Sequence, residues 1–188
     1  MNKTKLRFIC FSLFLVFSAF VAYAESFSGS LIVHPQWSHT KTTSTTTSES
    51  FPTLFTFVFA SGTNAFEMNQ LWSSQRTLTN GANETINILG GITNSFGSAL
   101  TMSEVRLISF SSASANTDQI TIGGASANAF SSWLGDPSDT VKLRPGGYLL
   151  AIAPDATGYA VSTNGNIKVS NDGTNSVIYD VYIGASSQ

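Results

Sequence analysis

The chain has 188 residues, with nine Lys and Arg set against eleven Asp and Glu. Charged residues make up 11% of it, against about 25% in an ordinary soluble domain. So dilute and slightly acidic a charge set argues against a nucleic-acid partner and against attraction to anionic membranes.

The first residues read as a secretory signal. Lys3, Lys5 and Arg7 form a basic start, Phe8 to Val21 is an apolar run too short to span a bilayer comfortably, and Ala22-Tyr23-Ala24 has the small-x-small pattern of a cleavage site. The expected division is residues 1–24 as a cleaved signal peptide, 25–52 as a Thr/Ser-rich arm or edge strand, and 53–188 as the folded domain. The mature protein is then secreted, periplasmic or extracellular, with no membrane span left after cleavage. Cys10, the one cysteine, falls inside the signal. The mature chain therefore has no disulfide and no thiolate metal site. Three of the nine basic residues leave with the signal, so six face eleven acids, formally −5. About 160 residues remain, enough for one domain with a substantial core.

In the arm, Ser30 to His34 fits a first strand. Thr40 to Ser50 is almost all Thr and Ser, which suits an exposed polar strand and has no apolar side to bury. Phe51 to Ala60 puts Phe55, Phe57 and Phe59 on one face and Leu54 and Val58 on the other. With both faces apolar, a central strand covered on both sides is expected. Phe57→Ala is then expected to cost about 3–5 kcal/mol.

Asn64 to Thr79 fits either a loose helical spacing of Phe66, Met68, Leu71 and Trp72 or short strands. Asn80-Gly81 is a hairpin turn signal. Glu84 to Leu89 alternates, Gly90-Gly91 breaks the run, and Ile92 to Leu100 reads as a loop or strand anchored by Phe96. Glu104 to Ser111 is a clear strand. Gln119 to Ile122 is short, and Ser126 to Leu134 carries Phe130 and Trp133.

The last third sets the pattern most firmly. Pro145-Gly146-Gly147 turns the chain into an apolar strand at Tyr148 to Ile152, and Pro154-Asp155 ends it. Ile167 to Asn171 and Val177 to Gly184 alternate about the turn Asn171-Asp172-Gly173. About eight to ten strands, one every ten to fifteen residues, give an all-β fold. The expected form is a single antiparallel β-sandwich with a jelly-roll-like topology. Its core should include Phe55, Phe57, Phe59, Val105, Leu107, Leu149, Val177, Tyr179 and Val181.

No catalytic motif stands out. His34 and His39 lie five apart, on opposite faces of a strand, and a shared metal would need a turn and a third ligand. There is no Gly-x-Ser-x-Gly elbow. Asp136, Asp139, Asp155 and Asp172 stand beside Gly, Pro or Ser, as turn-forming aspartates do. Glu104 and Asp180 lie within strands and read as their polar members. Asn164 to Asn166 and Asn171 to Asn175 have the composition of calcium loops without their spaced acids, and hairpin turns explain them. No catalytic residue, cofactor or metal ligand is expected. Trp37, Trp72 and Trp133, with Tyr148 and Tyr159, are the candidates for a ligand-stacking surface, weighed against ordinary core roles.

Several tail segments resemble small virion structural proteins of tailed phages and their environmental relatives. They are Val141 to Tyr148, Ala153 to Val161, Ile167 to Asn171 and Tyr179 to Ala185, with Ser95 to Leu100 and Ile122 to Asn128 upstream. The resemblance spans half to two thirds of the mature chain and rests on turn and strand residues. It implies a β-sandwich subunit that packs into an assembly. The signal peptide departs from that pattern and points equally to a secreted or surface-assembled relative. The expected function is a secreted, non-enzymatic structural subunit of a particle, fibre or surface layer. Its expected partner is itself or another surface protein, with the arm adding a strand to a neighbour. The alternatives are an extracellular carbohydrate-binding module and, behind it, a glycosidase or lyase.

Overall fold

A computed structural model describes residues 28–33, 38–42, 46–50 and 55–187. The signal segment, His34 and Trp37 lie outside the described residues. Every element among those described is a strand, and every strand pair is antiparallel.

The strands are β1 (Gly29–Val33), β2 (Ser38–Thr42), β3 (Thr46–Ser50), β4 (Phe55–Phe59), β5 (Gln70–Leu78), β6 (Asn83–Asn87), β7 (Leu89–Thr93) and β8 (Ala99–Thr101). They continue as β9 (Glu104–Ser112), β10 (Ile120–Gly123), β11 (Thr140–Leu143), β12 (Tyr148–Ile152), β13 (Tyr159–Ala160), β14 (Asn166–Asn171) and β15 (Val177–Ser186). This is more than the eight to ten that turn spacing suggests, because short pairs outside the sandwich add to it.

One sheet runs β12-β9-β15-β5, with β13 beside β12 on the edge of β9; the other runs β11-β10-β14-β6. Number the eight long-sheet strands in chain order. The first sheet then reads 6-3-8-1 and the second 5-4-7-2. That interleaving, with the last strand inside beside the first, is the jelly-roll order. The chain reaches it by crossing between sheets at nearly every connection, so the core is closed by contacts distant in sequence.

Alternation along the strands builds the core. Ile167 and Val169 of β14 point inward, as do Val177, Tyr179, Val181 and Ile183 of β15 and Ile108 and Phe110 of β9. All of these are buried in one cluster shared by both sheets. Phe110 stacks near Trp133, with ring centres 6.4 Å apart, and lies 6.2 Å from the Tyr179 ring. The ambiguous stretch at 64–79 resolves in favour of a strand, since β5 pairs with β15 at nine successive positions, Leu78↔Val177 to Gln70↔Ala185. A long ladder with a covered face outweighs a loose helical spacing.

The apolar stretch around Phe57 is not a central strand. β4 pairs with β1 alone, in a two-stranded ribbon outside both large sheets. Phe59 at its base is 2% exposed, Phe57 is half-buried, and Phe55 is 50% exposed. The Phe-bearing face is progressively uncovered as the ribbon leaves the sandwich. Two other corrections follow from burial. Leu107 is half-buried rather than core, and Phe96, at the β7–β8 turn, anchors nothing at 81% exposure; Leu149 is half-buried and packs on the core. Phe59, Val105, Val177, Tyr179 and Val181 are buried as expected.

The Thr-rich run also forms a pair, β2 with β3. Gly29 faces Phe59 in one pair and Ser38 faces Ser50 in the other. The two pairs have the same register offset. β4, expected in the folded domain, is thus paired with β1, a segment of the expected arm.

A cross-sheet pin closes one side of the sandwich. Tyr179 on β15 donates its hydroxyl to Glu84 Oε1 on β6 at 2.7 Å, and Arg76 on β5 donates its Nε to both oxygens of the same carboxylate. Burial first, then the Glu84 carboxylate, push the Tyr179 phenol above its ordinary value of 10.0. Burial alone pushes Glu84 up, but its bonds to Arg76 and Tyr179 outweigh that and hold it below 4.5. The two groups have opposite linkage. The neutral phenol is favoured in the fold, so its stabilisation is full below pH 10.0 and is lost as pH rises further. The Glu84 contribution is present above pH 4.5 and is lost as pH falls below it. We expect stability to decline above pH 10 by up to about 1.4 kcal/mol per pH unit from this one proton. In Tyr179→Phe that slope should be shallower. Urea denaturation at several alkaline pH values checks it; equal slopes in both proteins would contradict this account.

Candidate functional site

The most distinctive feature lies where the ribbon meets the sandwich. The outer face of the β12-β9-β15-β5 sheet is read directly from its register. One cross-strand row is Ile152, Leu107, Gly184, Leu71; the next is Leu150, Ser109, Tyr182, Ser73; the third is Tyr148, Ser111, Asp180, Gln75. Ile178 and Thr77 follow. Asp180 is the one charged side chain in these rows. Its carboxylate accepts from Gln75 Nε2 at 3.0 Å and from Ser111 Oγ at 3.3 Å.

Gly29, Ser30 and Phe59 of the ribbon lean over this face and enclose a mainly apolar cleft of about 290 Å³ with Met68, Leu71, Leu107, Ser109, Tyr148 and Tyr182. Gly184 makes the close approach possible. A Cβ at that position would collide with the Met68 sulfur, so the missing side chain lets Met68 seat against the sheet. At the cleft's mouth Tyr148 is 58% and Tyr182 49% exposed, and Ile178 is 40% exposed further along the same face.

The ribbon's base is held by a buried arginine. A bulge pairs Gly184 with Leu107 but Ala185 with Val105, leaving Arg106 as the extra residue of β9. The bulge re-aims Arg106, which is fully buried. Its guanidinium donates to the Thr63 carbonyl at 3.0 Å, the Ala156 carbonyl at 2.8 Å, the Asp155 carbonyl and the Glu104 carboxylate. Ser186 Oγ donates to the same Glu104 oxygen at 2.9 Å. One cation thus joins the loop after β4, the loop after β12 and the end of β15. Phe66 N donates to the Pro154 carbonyl at 2.7 Å and ties the same two loops together.

The expected stacking residues among those described are not gathered on one surface. Trp72 is half-buried at the β5 edge of its sheet and packs on the core. Tyr159 is half-buried at the opposite edge, on β13. Trp133 packs on the core from the loop between β10 and β11 and donates its Nε1 to the Phe130 carbonyl at 3.0 Å. The exposed aromatics that do share a face are Tyr148 and Tyr182. The sequence singles out Tyr148 but passes over Tyr182, because period two does not tell which face of an alternating strand is the bare one.

The acids do turn and pin work. Asp136 accepts from Ser138 N, and Asp155 from Thr157 N and Gly158 N; these bonds hold both carboxyls below the usual range. Asp118 accepts from the backbone of Asn175 and Thr174, with the same result. The Asn171 amide, 1% exposed, bonds the carbonyls of Leu78, Thr79 and Asn175 and accepts from Gly173 N. The asparagine-rich tail loop is therefore organised by its own side chains. Asp118, Arg144 and Asp172 border a polar cleft of about 310 Å³ nearby. Among the described residues no group of three or more His, Cys, Asp and Glu is arranged to hold a metal.

No family model and no curated protein matches the chain. Two solved structures of viral proteins show a partial likeness. One is the tobacco streak virus coat protein dimer, at 16% identity and a TM-score of 0.27, covering 64% of this chain and 89% of that one. The other is the unassembled KI polyomavirus VP1 pentamer, at 8% identity and a TM-score of 0.16, covering 87% and 95%. The jelly-roll assignment rests on the strand order above and not on these superpositions.

Proposed function

We propose that the chain is an exported, non-enzymatic structural subunit that assembles with copies of itself into a particle, fibre or surface layer, with the β1–β4 ribbon as its assembly arm. The jelly roll itself serves capsid proteins, lectins and enzymes alike and does not choose between them. One observation carries the reading: the Phe face of the ribbon, covered at Phe59, is bare at Phe55. Ile32 and Val58, both 60% exposed, leave the other face uncovered too. A two-stranded ribbon is marginal alone and needs a third element to cover it. Exposed apolar surface of this kind marks an interaction site. A virion-like particle, as the tail segments suggest, is one form such an assembly takes.

Carbohydrate binding is the second reading, favoured by the exposed pair Tyr148 and Tyr182 beside Asp180 and Gln75. Aromatic faces flanked by hydrogen-bonding side chains suit sugars.

The test uses exported, purified protein whose intact mass is expected to begin at Glu25. Light scattering over a concentration series should show oligomers, and Phe55→Asp should shift them to a monomer with its thermal transition nearly intact. A chain that is monomeric at every concentration, or oligomers indifferent to Phe55→Asp, would remove the arm from assembly.

A further inference from the structure

The outer face of the β12-β9-β15-β5 sheet has a bare region next to a covered one. The ribbon covers the Leu71 and Leu107 end, where Phe59 and Met68 close the cleft. From its mouth, where Tyr148 and Tyr182 stand, the same face continues to Ile178, and all three are exposed. Across the rim the rows pass from aliphatic (Ile152, Leu107, Gly184, Leu71) to mixed, with Tyr148 and Tyr182 beside Ser, Gln and Asp side chains. The rows hold aliphatic, aromatic, hydroxyl and amide side chains, with no Lys or Arg. Their one carboxylate, Asp180, is already bonded within the sheet.

The ribbon repeats this chemistry. β1 and β4 carry no charge and combine Phe, Ile, Leu and Val with Ser and Thr. Its base is seated on the sheet within the chain, and its outer part is not, since Phe55 is half exposed. An uncharged apolar strip and a largely apolar face, whose one charge is Asp180, are therefore both uncovered on the same molecule. The ribbon's own base is held by the Arg106 clamp through Thr63, so it is fixed over the cleft.

We infer that the bare region around Tyr148, Tyr182 and Ile178 is the docking surface for the outer part of the ribbon, around Phe55, of a second copy of this chain. The contact continues, between molecules, the ribbon-on-sheet packing that each molecule makes within itself. A neutral partner fits a face without cations, and burying two tyrosines in its centre follows the usual anatomy of an interface hot spot. The same geometry repeated gives each copy one arm to donate and one face to receive. Reciprocal exchange closes a dimer, and a one-way exchange propagates a ring or a filament. This inference rests on the arm-mediated assembly proposed above and adds the receiving site.

The experiment separates the two. Full-length exported protein is compared with Phe55→Asp, which spoils the arm, and Tyr182→Asp, which spoils the face. Both positions are about half exposed, so each variant should keep its thermal transition. Tyr182→Ser replaces Tyr182→Asp where the latter does not fold. Each variant alone should lose self-association by roughly tenfold or more in sedimentation velocity. Mixing the two should restore association in part, because one intact arm then meets one intact face. Oligomers of undiminished strength in Tyr182→Asp and Tyr182→Ser would overturn the receiving site while leaving the arm reading standing. Failure of the mixture to recover would overturn it too. A wild-type protein monomeric throughout would overturn both. So would a monomer that binds neutral glycans on an array through Tyr182, which would assign the face to saccharide instead.

Discussion

Arg106→Met should cost about 3–5 kcal/mol of folding stability, the range for removing one partner from a buried charged network. Methionine fills much of the same volume, so the loss is of hydrogen bonds rather than packing. The carbonyls of Thr63, Asp155 and Ala156 would be left without their donor in a partly buried setting, each at a cost of up to about 1–3 kcal/mol where water does not replace it. The Glu104 carboxylate would keep only Ser186 of its two partners named above. Arg106→Lys should fall between, since one ammonium cannot reach carbonyls set around a planar fork. Removing the acid as well, in Arg106→Met with Glu104→Gln, should recover little, because the orphaned carbonyls remain. Urea denaturation with an unchanged slope reads all three. A loss under about 1 kcal/mol in Arg106→Met would mean that water replaces the guanidinium easily and that the loops are not held by it.

Phe110→Ala should cost about 3–5 kcal/mol, as aromatic truncations in cores do. Phe110 is fully buried on the central strand β9, facing Val181 across β15, and its ring lies between those of Trp133 and Tyr179. The cavity would open between the two sheets, where neither can collapse without moving the other. By contrast, Phe55→Ala should cost below about 1 kcal/mol, because half of that side chain already faces solvent. Phe57→Ala, half-buried, should lie between them and not in the core range that its sequence neighbourhood suggests. Equilibrium unfolding of the three variants gives the order directly. Equal costs at Phe110 and Phe55 would mean that the ribbon is packed as tightly as the core.

Both predictions turn on residues whose roles are unequally visible in the sequence. β9, β14 and β15 are legible because alternation with period two marks a strand with one covered face. The turn residues around Gly146 and Gly173 mark where such strands stop. From these alone follow an all-β, antiparallel fold and most of its inward residues, Val105, Val177, Tyr179 and Val181 among them. The disulfide-free character of the described fold is equally fixed, since Cys10 is the one cysteine.

Tertiary structure decided the rest. Period two reports which side chains share a face, not what lies over that face. Phe55, Phe57 and Phe59 therefore look alike in sequence, and only the departure of the ribbon from the sheet sets them apart. For the same reason Tyr182 reads as an ordinary strand residue, while Trp72, Trp133 and Tyr159 draw attention with Tyr148 and prove to pack on the core. The Arg106 clamp joins carbonyls 43, 49 and 50 residues away. No local pattern encodes that meeting, because it arises only when the jelly roll brings the loops after β4 and β12 to the bulge in β9.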